Sequence, residues 1–255
     1  MRILFMGTPD FAVPSLEALI AAGHTVCGVF TQPDKPKGRG KKMAPPPVKV
    51  AAQAHGIPVY QPRRIRKDGV EDLRALAPDL CVTAAFGQIL SQEILDIPRL
   101  GTINVHASLL PKYRGAAPIQ WSVIAGDAEG GVTTMYMAEG LDTGDMILKH
   151  SLRILPDETA DELHDRLALL GAQVLLETVR LIGEGKAPRT PQDDSLSCYA
   201  PMLSKELSLI DFSKPAQEIH NQIRGLSSWP AAYLMLGGKR LKVYRSRLAE
   251  LTGKP

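Results

Sequence analysis

Cysteine is scarce. Cys27, Cys81 and Cys198 are the only three in 255 residues, and no two of them stand at zinc-ligand spacing. A sparse, odd set of this kind argues for a reducing compartment without disulfides. Cys27 and Cys81 sit in apolar, strand-like runs and are expected as small core residues. No stretch approaches about 18 uninterrupted apolar residues, so no membrane span is expected. Met1 leads straight into the apolar run of residues 2–6, without the basic and apolar regions of a secretory signal. A cytoplasmic location is the expectation, and a monomer is expected. The dinucleotide fingerprint Gly-x-Gly-x-x-Gly is also missing: after the first apolar run only Gly7 is present. A nicotinamide nucleotide is therefore not the expected ligand. No His, Cys, Asp and Glu cluster has ligand spacing of its own, so no metal is expected.

What is present is an ordinary globular composition, with 44% hydrophobic and 22% charged residues. The first half alternates strand-like and helix-like segments. Residues 3–6 form an apolar run ended by Gly-Thr-Pro-Asp, and residues 11–22 read as a helix with Leu16, Leu19 and Ile20 on one face. Strands are expected at 24–30, 79–85 and 101–105, with helices at 48–55, 70–76 and 91–95 between them. This alternation predicts an α/β fold, a Rossmann-like parallel sheet with right-handed crossovers. Further on, 118–126 reads as a helix, 131–137 and 146–155 as strands, and 161–182 as a long amphipathic helix. Residues 183–204, rich in Pro, Gly, Asp and Ser, read as a connector. A short helix at 215–224 and strands at 233–236 and 240–246, joined by Gly237 and Gly238, make a small second unit. The resulting division is a first domain over 1–186, a linker over 187–203 and a second domain over 204–255.

Net charge is only +3, but it is unevenly spread. Between Pro33 and Lys49 six Lys and Arg face the single Asp34, and from Lys239 onward six more face Glu250. Such clusters are solvated surface or a footprint for nucleic acid. The first also holds five prolines, from Pro33 to Pro47, which stiffen an extended segment. Its cations lack matching acids nearby in sequence, which makes phosphate a natural partner for Arg39, Lys41 and Lys42.

The segment with most chemistry is 101–115, Gly-Thr-Ile-Asn-Val-His-Ala-Ser-Leu-Leu-Pro-Lys-Tyr-Arg-Gly. It starts as a strand, where residues two apart project from one face. Asn104 and His106 therefore point together near the strand's carboxyl end, where sites in open α/β sheets are built. Taken locally, the pair is either a polar strand end or half of a reaction centre. A second segment, Glu139-Gly140-Leu141-Asp142-Thr143-Gly144-Asp145, is either a turn or the source of a carboxylate that orients a histidine. An Asn, a His and an Asp together suit acyl transfer to an amine. The amide donates to a developing oxyanion, the imidazole moves the proton, and the carboxylate holds the ring. An amine attacks a formyl carbon directly, so no Ser or Cys nucleophile is needed.

Asn104-x-His106, then Ser108 through Gly115, with Leu141-Asp142-Thr143-Gly144 downstream, resembles the signature of the 10-formyltetrahydrofolate-dependent formyltransferases. Residues 6–11, 31–42 and 47–49, then 115–120, and Trp229-Pro230 resemble in particular the members that formylate the methionine carried by initiator tRNA. The resemblance runs over nearly the whole chain. It implies Asn104, His106 and Asp142 as the catalytic set, and a folate site lined by Ser108, Leu109, Leu110 and Pro111. It also implies a pterin pocket formed with Phe86, Gly87, Gln88, Ile89 and Leu90. The formyl donor would be 10-formyltetrahydrofolate. The basic segment with Arg39, Lys41 and Lys42 would meet the tRNA acceptor stem, in a reaction serving translation initiation. A small amine such as an amino sugar is the alternative acceptor. The resemblance further implies a C-terminal OB-like domain, a fold of five strands, whereas the tail after Ser204 offers two or three. A partial barrel leaves strand edges open, so further chain or a covering partner is expected there.

Overall fold

The computed structural model describes every residue except Arg39, Lys41 and residues 250–255. The chain order is β1 (Arg2–Gly7), α1 (Val13–Ala21), β2 (Thr25–Phe30), β3 (Lys35–Lys37), β4 (Lys42–Ala44), α2 (Pro47–Ala54), β5 (Val59–Tyr60), α3 (Ile65–Asp68) and α4 (Val70–Leu76). It continues with β6 (Leu80–Ala84), α5 (Gln92–Leu95), β7 (Thr102–His106), β8 (Arg114–Gly115), α6 (Pro118–Ala125), β9 (Glu129–Tyr136), β10 (Met146–Arg153) and α7 (Ala160–Gly183). The last elements are β11 (Tyr199–Ala200), α8 (Ala216–Gly225), β12 (Ala232–Leu236) and β13 (Lys239–Val243).

Seven strands form the main sheet in the order β10-β9-β7-β6-β1-β2-β5. From β7 to β5 every neighbouring pair is parallel. The parallel sheet read from the alternation is thus present at the centre. At one edge β9 runs antiparallel to β7, and β10 antiparallel to β9. The helix before β9, α6, packs chiefly against α8 rather than serving as a crossover, and the strand after it returns in the opposite sense.

The centre of the sheet is apolar throughout because both of its faces are covered. All of β6 is buried, as is β1 after Arg2. Successive residues go to opposite sides, as the pleat requires. Ile3 and Phe5 join a core with Leu16 and Leu19 of α1, Val48 of α2 and Leu163 and Leu167 of α7. Leu4, Met6, Cys27 and Cys81 join a second core with Leu73 of α4 and Ile94 of α5. The long helix α7 starts at a capping box: the Thr159 hydroxyl accepts from the Glu162 N–H, while the Glu162 carboxylate accepts from the Thr159 N–H.

The chain runs from β1 outward to β2 and β5, then crosses back to β6 and β7. The order therefore reverses between β1 and β6, whose carboxyl ends lie side by side at Gly7 and Ala84. A ligand crevice is expected outside such a reversal.

Beyond α7 the small C-terminal unit holds α8 and the β12–β13 hairpin, with Leu209 bridged to Tyr233. Its core of Leu203, Ile210, Ile223, Leu226 and Ala232 is shared with Ala117 of the first unit. Among the described residues it contains two strands besides that bridge, against the five of an OB barrel.

Three details depart from the sequence reading. The proline-rich basic segment contains a short hairpin, β3–β4, rather than a single extended run. One of its cations does have an acid: Lys49 Nζ lies 2.9 Å from Asp34 Oδ1 and also donates to Gln61 Oε1. Gln61, first, and Lys49 hold the Asp34 carboxyl below the usual range. Finally, the segment expected as a linker lies against the first unit, where β11 pairs in parallel with β8.

Candidate active site

β7 ends at the site. It is flanked by β6 and β9, with Asn104 opposite Thr83 on one side and Met135 on the other. Asn104 is half-buried, and its carbonyl oxygen accepts from the Thr83 hydroxyl at 2.8 Å. The same hydroxyl also reaches the Ile103 carbonyl at 3.1 Å; the Asn104 N–H₂ group makes no hydrogen bond among the described residues and is left to donate.

His106 is buried, with 6% of its surface exposed. Its Nε2 lies 2.9 Å from the carbonyl oxygen of Tyr113. A carbonyl only accepts, so the proton sits on Nε2 and the ring is fixed by the turn that follows the strand. The other nitrogen, Nδ1, is 3.7 Å from Asp142 Oδ1. The structure thus brings together Asn104 and His106 from β7 and Asp142 from a loop 36 residues further on, between β9 and β10.

Asp142 is held on several sides. Its Oδ2 accepts from the Gly115 N–H at 2.9 Å. Its backbone is left-handed, φ 52°, a conformation Asp tolerates better than most residues but keeps only under external constraint. Nearby Gly144 passes so close to β9 that a Cβ there would meet the Tyr136 carbonyl oxygen, so only glycine fits.

The turn at Ser108–Pro111 is tied down from within and below. The Ser108 hydroxyl donates to the Lys112 carbonyl, the Thr133 hydroxyl donates to the Ser108 carbonyl, and the Leu110 N–H donates to Thr133 Oγ1. Lys149 donates to the Leu110 carbonyl. Ser108 and Leu110 are buried, while Leu109 and Pro111 are half-buried.

The loop 86–90 follows β6 at the strand-order reversal. The Phe86 carbonyl accepts from the Thr8 hydroxyl and from the Gln32 amide, which also reaches the Gly87 carbonyl. Gln88 accepts from the Ile65 N–H and donates to the Pro62 carbonyl. Phe86 and Leu90 are buried in the second core, whereas Ile89 is 73% exposed. Of this group Ile89 and the backbone near Gly87 face outward, while the side chains of Phe86, Gln88 and Leu90 brace the loop.

Lys42 is exposed on β4, and Arg39 and Lys41 lie outside the described residues. The hairpin follows the carboxyl end of β2, so it leaves the same edge of the sheet as Asn104 and His106. Three strand spacings separate β2 from β7, or about 14 Å.

A cleft of about 260 Å³ opens on Ser108, Leu109, Tyr113, Asp127 and Gly131, and none of Asn104, His106 and Asp142 is in its wall. This cleft and the side-chain chemistry point to different places, and the convergence of amide, imidazole and carboxylate is the stronger guide because reaction requires those groups. Several residues at the site carry no local sequence signal: Thr83, Thr133 and Gln192. Each acts through a partner distant in the chain.

Two family signatures match the chain: "Formyl transferase" over residues 1–179 and "Formyl transferase, C-terminal domain" over residues 202–255. A methionyl-tRNA formyltransferase of Geobacter sulfurreducens is 56% identical over 256 residues, covering 100% of this chain and 81% of that protein. One from Moorella thermoacetica is 57% identical over 98% of this chain and 81% of its own length. Among solved structures, an N-formyltransferase from Helicobacter canadensis in complex with folinic acid and dTDP-3-aminofucose superposes with a TM-score of 0.77 at 22% identity, over 99% of this chain and 90% of that one. HypX from Aquifex aeolicus in complex with tetrahydrofolic acid superposes at 0.72 and 19% identity, over 100% of this chain and 39% of the other. At these identities the superpositions show a shared fold. With a domain signature over residues 1–179 and relatives more than half identical along its length, the chain belongs to the formyl transferase family.

Proposed function

We propose that the chain transfers a formyl group from 10-formyltetrahydrofolate to the amino group of methionyl initiator tRNA, in the preparation of tRNA for translation initiation. The observation that carries the chemistry is the meeting of Asn104, His106 and Asp142 at the carboxyl end of β7, with His106 Nδ1 3.7 Å from Asp142 Oδ1. The name shared by relatives of 56–57% identity supports the acceptor. The exposed cations of the β3–β4 hairpin, on the same sheet edge, support a phosphate-rich acceptor.

The amine nitrogen attacks the formyl carbon, a C–N bond forms and the carbonyl oxygen takes up negative charge. The Asn104 N–H₂ group donates to that oxygen. Proton transfer falls to His106 through Nδ1, because Nε2 is engaged by the Tyr113 carbonyl. Asp142 Oδ1 faces that nitrogen at 3.7 Å while the proton is in transit. The C–N bond to the folate nitrogen then breaks, and that nitrogen leaves with a proton. The reduced folate is proposed to lie along the crevice between the 86–90 loop and the 108–111 turn. Lys42, with Arg39 and Lys41, is proposed to contact tRNA phosphates and to take no part in bond making.

A formyl-transfer assay with charged initiator tRNA, an amino-sugar nucleotide and no acceptor tests this. Transfer to the tRNA alone is expected. Transfer to the amino sugar alone would replace the acceptor with a small amine, and transfer to neither would overturn the reading.

A further inference from the structure

We propose that Gln192, in the segment joining the two units, is a positioning residue for Asp142. The proposal rests on the catalytic reading of Asn104, His106 and Asp142 given above. The Gln192 amide nitrogen donates to the Asp142 carbonyl at 2.8 Å and to the Gly144 carbonyl at 2.9 Å. Its amide oxygen accepts from Arg114 Nε at 3.0 Å and from Nη2 at 2.9 Å. Arg114 has no acceptor and the two carbonyls have no donor, so only one orientation of the amide satisfies all four contacts. The Arg114 side chain is 13% exposed and also reaches Asp194.

This network closes a ring. Arg114 precedes Gly115, whose N–H holds the Asp142 carboxylate; Gln192 holds the Asp142 backbone; Arg114 holds Gln192. One loop is thereby pinned at both its side chain and its main chain, where Asp142 keeps its left-handed φ. The rest of the segment adds to the clasp. Thr190 exchanges two backbone hydrogen bonds with Met146, the Cys198 carbonyl accepts from the Arg114 N–H, and the Ala200 carbonyl accepts from the Ala116 N–H. Gly115 lets β11 approach: a Cβ there would sit 2.7 Å from the Ala200 carbonyl oxygen. The segment that reads as a connector braces the loop that carries Asp142.

Gln192→Glu separates this role from general bracing. It keeps the size and the acceptor for Arg114 but turns the donor end into a second acceptor facing two carbonyls. In the full chain, turnover with charged tRNA and 10-formyltetrahydrofolate should drop on the order of 10²-fold through kcat, the scale of a misplaced catalytic group, with KM for both substrates near wild type. Arg114→Lys, which replaces a fork by a point charge, should give a smaller loss of the same kind. If Gln192→Glu is isolated unfolded, Gln192→Met, with the stem but neither polar end, takes the same measurement. His106→Gln and Asp142→Asn are assayed alongside. If those two keep wild-type turnover, the catalytic reading itself fails. If they lose it while folded Gln192 variants keep wild-type kcat, or show only raised KM or a lowered melting temperature, the positioning role alone is overturned.

Discussion

The proposed reaction centre and the basic hairpin leave the same edge of one sheet and are built in opposite ways. Around His106 and Asp142 the protein itself fixes one polar atom of each side chain, Nε2 by the Tyr113 carbonyl and Oδ2 by the Gly115 N–H, and the two side chains are 7% and 12% exposed. On the hairpin Lys35 and Lys42 are exposed, and among the described residues the pairing of β3 with β4 is its only ladder. The contrast follows from the tasks proposed for each. Stabilising a transient charge needs groups fixed before the substrate arrives, whereas attracting a polyanion needs charge but little geometry. Damage to the first should therefore appear in kcat, and damage to the second in KM and salt dependence.

The largest effect should come from the centre itself. Asn104→Ala, His106→Ala and Asp142→Ala should each lower turnover by about 10²–10³-fold, the usual cost of an oxyanion donor or its equivalent. Thermal unfolding should remain cooperative, since none is a large apolar core residue. Near-normal turnover in all three folded variants would erase the distinction between the two regions.

Gly115→Ala comes next. Its φ of 117° is hostile to a side chain, and the added methyl would press on Tyr199 and Ala200. The expected outcome is a destabilisation of more than about 1 kcal/mol together with reduced kcat, because the N–H that holds Asp142 moves with the backbone. Differential scanning calorimetry and a turnover assay check both parts; lost stability at unchanged kcat would detach Gly115 from the centre.

In the basic segment, replacing Arg39, Lys41 and Lys42 together by Ala should raise KM for charged tRNA and leave folate affinity and kcat nearly unchanged. The slope of log affinity against log salt should flatten by roughly 0.7–0.9 per lost phosphate contact. An unchanged slope and KM would sink the hairpin as a tRNA contact.

The smallest expected effect lies away from both regions, at the cap of α7. The Thr159 N–H, then Arg245 and the Thr159 hydroxyl, hold the Glu162 carboxyl down at about 2 against an ordinary 4.5. A carboxyl depressed in the folded state contributes stability above its unfolded value and loses it as pH falls through the folded one. Glu162→Gln keeps the capping-box geometry and removes the charge. Its melting temperature should fall below wild type at pH 7, and the gap should close between about pH 4.5 and 2. The side chain is 45% exposed, so solvent screening keeps this gap small. A gap that does not change with pH would assign it to packing instead.

Much of the first unit is legible in the chain's periodicity. The runs Ile3–Met6 and Leu80–Ala84 are buried strands because both faces of a central strand are covered, and α4 spans Val70–Leu76 as the pattern predicts. The spacing of Asn104 and His106 puts both at the end of β7 for the same reason, the two-residue repeat of a strand. The reversed sense of β9 was not legible, since strand direction depends on where α6 packs and α6 rests on α8, almost a hundred residues away in sequence.

By itself, then, the sequence determined the central strands, the longer helices and the amide and imidazole that share the end of β7, because these rest on side-chain type and short-range period. Only the tertiary structure decided how Asp142 reaches His106, which imidazole nitrogen is free, and that Thr83, Arg114 and Gln192 hold the set in place. Those facts depend on contacts across 21 to 80 residues of chain, such as Thr83 to Asn104 and Arg114 to Asp194. A hydrogen bond between distant segments leaves no periodic trace in either of them. Its geometry exists only once the sheet has brought both ends to one edge.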